Sequence, residues 1–183
     1  MKRFTLLGAL AVAGLCFVSL PASAQSFSDA DRTAVEARIS RLDGIVSSGD
    51  LAGAMEVLPP VLFRTIAERA GATEAQLLEV SRELIRTQLS GVTILDYAMD
   101  LAAAPPTLTP DGSQTYLLIP TTTLMEIPEV GRVRSRNHTL ALEEGGEWYL
   151  IRVDEPAQAD LVRELWPAFV GVDFPGGTTE IAD

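Results

Sequence analysis

Four basic or titratable side chains recur at steps of two in Arg132-Val133-Arg134-Ser135-Arg136-Asn137-His138. On a β-strand that spacing turns all four to one face. Three guanidiniums beside an imidazole make an anion-holding surface, because each guanidinium offers paired N–H donors to a carboxylate. Arg132, Arg134, Arg136 and His138 are therefore the candidate ligand-binding residues. Leu140 and Leu142 continue the same face, so its later half is expected in the core and its earlier half at a rim or pocket mouth. The competing reading is a solvated strand face whose arginines pair with nearby acids. Register bears on the choice. A two-residue turn at Glu129-Val130 sets Thr121 and Thr123 beside His138 and Arg136, whereas a shift of one residue sets Glu126 opposite Arg132.

Other chemistry is thinly supplied. Asp96 and Asp100 alternate onto one face of a predicted strand and are the candidate catalytic bases. His138 is the only histidine and Cys16 the only cysteine. Ser135 lies three residues before His138, hence on the opposite strand face, and makes a poor triad partner. No Gly-x-Ser-x-Gly elbow is present. Zinc lacks nitrogen and sulfur ligands, calcium lacks its spaced acidic loop, and no glycine-rich phosphate loop opens a helix. Neither a metal nor a cofactor is expected. Asn137-His138-Thr139 matches a glycosylation sequon, but on a strand rather than a surface loop.

The first 24 residues read as an export signal. Lys2 and Arg3 give the positive start, Leu6 to Leu20 the apolar stretch, and Ala22-Ser23-Ala24 the small-residue site, so cleavage is expected between Ala24 and Gln25. That apolar stretch is shorter than the roughly 20 residues of a membrane crossing. The expected address is the periplasm or the exterior, with no transmembrane segment in the mature chain. Cleavage takes Cys16 and the only lysine, so 14 bases become 12 against the same 25 acids and the net charge goes from −11 to −13. A chain so acidic repels nucleic acid. No disulfide can staple it, and stability must come from burial.

The elements that position these residues follow from periodicity. Val35, Ile39, Leu42 and Val46 form one stripe of a helix opening at Asp29 and stopped by Ser47-Ser48-Gly49. Asp50 opens a short second helix that Pro59-Pro60 ends; Pro60 starts a third, and Thr73 with Gln76 caps a fourth. Residues 92–101, 114–127, 132–142 and 148–153 read as four strands, being rich in branched and aromatic residues. Pro156 opens a last helix that Pro167 terminates. Trp148, Trp166, Phe169 and Phe174 are read as core, with an exposed interaction patch from Trp166 to Phe174 as the alternative. The expected fold is α+β: N-terminal helices packed on a curved, mostly antiparallel four-stranded sheet, with a C-terminal helix. Residues 25–174 make one domain and 175–183 a loose tail.

Ser48-Gly49-Asp50-Leu51 between helices, Pro59-Pro60, the antiparallel strands, and Gly146-Glu147-Trp148-Tyr149-Leu150-Ile151 on the last strand resemble the nuclear transport factor 2-like superfamily over roughly residues 27–153. The resemblance implies helices packed into the concave face of a bent sheet, leaving a pocket. It includes isomerases that use a strand aspartate as base, and many members that only bind or dimerise. The final helix departs from that pattern, and no helix carries a tyrosine where such sites draw one. The reading of first choice is an exported, non-enzymatic module that binds a small molecule or a protein, with the outer sheet face available for a homodimer. The alternatives are a small isomerase or lyase using Asp96 or Asp100, and an envelope-associated interaction component.

Overall fold

The computed structural model describes residues Phe27 to Ala182; the predicted leader, with Cys16 and its cleavage site at Ala24-Gln25, lies outside them. The chain is α+β, as its periodicity predicts. Helices α1 (Asp29–Ser48), α2 (Pro60–Ala70) and α3 (Glu74–Gln88) come first, with a 3-10 segment Leu51–Val57 between α1 and α2. Strands β1 (Thr93–Met99), β2 (Thr107–Leu108), β3 (Thr115–Ile127), β4 (Gly131–Glu144) and β5 (Glu147–Arg152) follow. Helix α4 (Pro156–Leu165) and a last short strand β6 (Thr178–Ile181) complete it.

Helix α1 starts one residue earlier than its acidic residues suggest. Ser28, not Asp29, is the cap: its hydroxyl accepts the Asp31 N–H while the Asp31 carboxylate accepts the Ser28 N–H. This reciprocal box satisfies two backbone donors that a lone Asp29 cap would leave unmet. Asp31 also accepts a hydrogen bond from the Trp148 indole at 3.2 Å, and Phe27 stands edge-on to that ring at 5.5 Å. The helix start is thereby tied to β5. The segment after Asp50 forms a 3-10 coil rather than an α-helix, because Pro59-Pro60 leaves it too little chain to propagate. The Thr73–Gln76 box opens α3 as read.

Six strands occupy four lanes. The order is β1-β3-β4-β5, all antiparallel, with β2 extending the β1 lane along β3 and β6 extending the β5 lane along β4. Pro120 sits mid-strand in β3, a position normally closed to proline. Its carbonyl accepts the Asp100 N–H at 2.9 Å. A residue's N–H and C=O point to the same neighbour in an antiparallel ladder, so the missing donor faces the gap between β1 and β2, where no ladder partner is due.

The β3–β4 hairpin resolves the register. Ile127 pairs with Gly131, and the pairing places Glu126 opposite Arg132, Thr122 opposite Arg136 and Pro120 opposite His138. The connection is three residues long. Val130 donates to Ile127 across a turn in which Pro128 is followed by Glu129 at φ 66°, the positive-φ third position of a type II turn.

The sheet is packed on both faces. One face carries Leu117, Ile119, Ala141 and Leu150 against Val35 and Leu42 of α1. The other carries Tyr116, Leu140, Leu142 and Ile151 against Val162 of α4 and the fully buried Phe169. Phe169 packs at 5.3 Å from Tyr116 and 6.3 Å from Phe174, so the aromatic side chains of the Trp166–Phe174 segment join the core, as read, while Val170 between them stays exposed.

The C-terminal segment also departs from the expected loose tail. Residues 178–181 pair with β4, Gly177 donates to the Asp154 carbonyl, and Ala182 donates to Arg132. A Cβ at Gly177 would stand 2.8 Å from an Asp154 carboxylate oxygen. Only glycine permits that approach. The β-pairing signal was hidden because Thr178-Thr179-Glu180-Ile181 follows Pro175-Gly176-Gly177 and is too short to show a period.

Candidate functional site

Parity along β4 decides where its side chains go. Val133, Ser135, Asn137, Thr139 and Ala141 share one face and are buried, the face on which Ala141 packs with Val35 and Leu42 of α1, whereas Arg132, Arg134, Arg136 and His138 turn to the opposite face. Helix α4 returns over only the Leu140–Leu142 end of that outer face. The arginine end is left to solvent and to β6. There Glu180 lies across from Arg134 and accepts from Arg136 at 2.7 Å, with Arg134 at 3.7 Å. Both arginines hold its carboxyl below the usual range, the Arg136 hydrogen bond first. The four candidate ligand-binding residues thus share a face, as their spacing requires, but it is a solvated face partnered by an acid. His138 Nδ1 is buried without a partner among the described residues.

The candidate bases Asp96 and Asp100 do not share a pocket. Asp96 is exposed beside a β-bulge at Leu95, and lines a separate, half-open polar pocket of about 350 Å³ between α1 and β1. Asp100 is exposed and accepts the Ala103 N–H at 3.1 Å, capping a 3-10 turn. Neither faces the arginines across a common cavity.

On the inner face a different site is built. Where α1, the 3-10 segment and α3 arch over the concave sheet they leave a cavity of about 230 Å³. Its walls are Leu42, Met55, Val57, Leu58, Ile85 and Leu150; its floor is Thr121, Thr123, Asn137 and Thr139, with Tyr97 and Arg152 at the side. The floor is polar because the β3–β4 register stacks threonines on β3 beside Asn137 and Thr139 on β4. Helix α3 contributes Ile85 while burying no residue fully and packing on α2 and the 3-10 segment. It lies over the cavity as a lightly held wall.

Hydrogen bonding fixes the polarity of the floor. The Thr121 hydroxyl bonds the Ile119 carbonyl at 3.0 Å and the Thr139 hydroxyl at 2.9 Å. A carbonyl can only accept, so Thr121 donates to Ile119 and Thr139 donates to Thr121. Asn137 is 5% exposed, and its amide oxygen has no partner among the described residues. Ser135, next on the same face, also leaves its buried hydroxyl unpartnered there. Buried polar atoms are almost always satisfied. Burial pushes the Tyr97 phenol up to about 12, with the nearby Asp43 charge adding to the rise and Arg152 opposing it. The Arg152 guanidinium grips Asp154 through both Nε and Nη2, and this pairing raises its own pKa further.

Sequence reasoning singled out the outer parity of β4, whereas the inner cavity is lined by the other parity. The same period of two that groups the arginines also groups Ser135, Asn137 and Thr139, and three polar residues alternating inside an otherwise apolar strand were the available signal. What the residues define is an α+β protein whose curled antiparallel sheet carries, under its N-terminal helices, a half-open and mainly apolar cavity with a polar floor. No family model, no curated protein and no solved structure matches this chain. Among the described residues no helix is long and apolar enough to cross a membrane, and no cluster of three or more histidine, cysteine or carboxylate side chains is poised for a metal.

Proposed function

We propose that this protein is an exported, non-enzymatic binding module whose inner cavity, rather than its arginine-bearing face, takes a small molecule. The observation that carries this reading is the inner cavity of about 230 Å³, whose mainly apolar walls close on the buried polar residues Thr121, Asn137 and Thr139. A purely structural core would place apolar residues there, since burying polar groups is costly. The export half of the proposal rests on the leader pattern at Lys2-Arg3, the apolar stretch and Ala22-Ser23-Ala24.

A thermal-shift screen with uncharged one-ring compounds tests the binding half. A true ligand at about a hundredfold its Kd stabilises by about 2.7 kcal/mol, and its effect must vanish in Ala54→Phe, which fills the cavity wall. If every shift persists in that variant, binding is elsewhere. Cell fractionation with sequencing of the mature N-terminus tests the export half; a protein retained in the cytoplasm, or one not starting at Gln25, counts against it.

A further inference from the structure

We propose that the β4 edge from Arg132 to Arg136 is a docking site for an extended acidic segment of a partner polypeptide, and that β6 is a displaceable stand-in for that segment. The site goes beyond the cavity reading and does not rest on it. Its geometry is given by the strand that fills it. Strand β6 runs antiparallel to β4 with Ile181 against Val133, Glu180 against Arg134, Thr179 against Ser135 and Thr178 against Arg136, and the Ala182 N–H donates to the Arg132 carbonyl at 2.9 Å. A strand added to an open sheet edge in this way draws affinity from the main chain and specificity from alternate side chains.

Charge gives the chemistry of the occupant. Alternation sets Thr178, Glu180 and Ala182 on the face of Arg136, Arg134 and Arg132. Of these three, Glu180 alone brings a carboxylate, shared between Arg136 at 2.7 Å and Arg134 at 3.7 Å. Arg132 makes no ion pair among the described residues, although Glu126 stands opposite it on β3. Three guanidiniums with one bonded acid leave positive charge to spare in a chain whose net charge is −11. A segment with a carboxylate at every second residue gives each guanidinium a charge-assisted partner of its own.

The stand-in is lightly held. Every residue of β6 is exposed, Ile181 to 76%, and none belongs to either apolar cluster. Its ion pairs lie at the surface, where such pairs are worth little. Gly177, whose N–H donates to the Asp154 carbonyl and which closely approaches the Asp154 carboxylate, fixes where the tail begins. Residues 178–182 can therefore leave the edge without disturbing the layers before them.

The experiment uses the whole mature protein and two fluorescein-labelled heptapeptides, Gly-Gly-Glu-Thr-Glu-Ile-Glu and Gly-Gly-Gln-Thr-Gln-Ile-Gln, followed by fluorescence anisotropy. The acidic peptide is expected to bind at least about tenfold more tightly than its glutamine twin at low salt, and to lose that advantage as salt screens the charges. Glu180→Gln should tighten it severalfold, because the tail competes at the high effective concentration of a tethered segment. Arg134→Ser with Arg136→Ser should abolish the preference. Equal binding of the two peptides overturns the acidic assignment, and failure of both to bind even Glu180→Gln overturns the docking site. An affinity unmoved by Glu180→Gln shows that the peptide does not take the place of β6, and a preference surviving in the double arginine variant puts its site elsewhere; either result overturns the proposal. So does a dimer of the protein alone, seen in sedimentation and split by Glu180→Arg, since the occupant is then the tail of a second copy. Should the double variant not fold, the ranking of the peptides on the unaltered protein and its response to Glu180→Gln still decide.

Discussion

Asn137 holds an amide oxygen in the floor of the cavity with no protein partner among the described residues, and such an unmade bond costs about 1–3 kcal/mol. Replacing Asn137 by the similarly sized leucine is therefore expected to stabilise the ligand-free protein by about that amount, read as a higher urea midpoint at unchanged slope. Tyr97 gives a pH test at the same scale. Its pKa rises from the ordinary 10 to about 12 on folding, chiefly through burial, so the folded state holds this proton more tightly than the unfolded one. The stability it contributes is complete below pH ~10 and is lost as pH climbs from there to ~12. At roughly 1.4 kcal/mol per unit this amounts to about 2–3 kcal/mol. Tyr97→Phe should flatten that alkaline limb by most of this amount in denaturation measured across pH. Burial also raises Tyr116 and Tyr149, so a smaller slope should remain.

At the scale of elements, the two C-terminal pieces differ in what holds them. Phe169 is fully buried between Tyr116 and Phe174 and anchors the outer layer on the sheet. Phe169→Ala should cost about 3–5 kcal/mol, the range for emptying a buried aromatic site. Strand β6 is held by ladder bonds and by exposed ion pairs between Glu180 and Arg134 or Arg136. Exposed pairs are worth little, so removing the residues after Phe174 should cost no more than about 1 kcal/mol. Thermal melting of the two variants side by side makes the comparison. A larger loss on truncation than on Phe169→Ala would mean that β6, not the aromatic cluster, secures the C-terminus. The α-helices, the four longer strands and the two hairpins that join the last three of them were legible in the sequence, because helical periods, branched and aromatic runs and turn residues mark them. Strands β2 and β6 were not, since two and four residues show no period and owe their conformation to the β3 and β4 edges they complete.

For the molecule as a whole, a single sheet shares its two faces between two apolar clusters, one under α1 and one under α4. Neither layer can unfold without exposing the other through the strands they share. A single cooperative transition is the consequence. The two faces are chemically separate all the same: the cavity opens on Asn137 and Thr139, and the arginines stand on the far side of the same strand. Arg134→Ser with Arg136→Ser should leave the affinity of any cavity ligand unchanged while releasing Glu180. Calorimetric titration checks this, and a severalfold loss of affinity would tie the arginine face to the binding site after all.

What the sequence determined by itself is which side chains of β4 travel together, because alternation along a strand is a local property of the backbone. Arg132, Arg134, Arg136 and His138 had to share one face, and Ser135, Asn137 and Thr139 the other. Which of the two faces became concave and closed over a cavity was decided only in the tertiary structure, by α1 tied to Trp148 on one side and α4 returning over Leu140 and Leu142 on the other. The first of these contacts joins residues 117 positions apart. No local pattern encodes them: burial is a property of the assembled layers, and polar residues on a strand look alike in sequence whether water or a cavity lies before them.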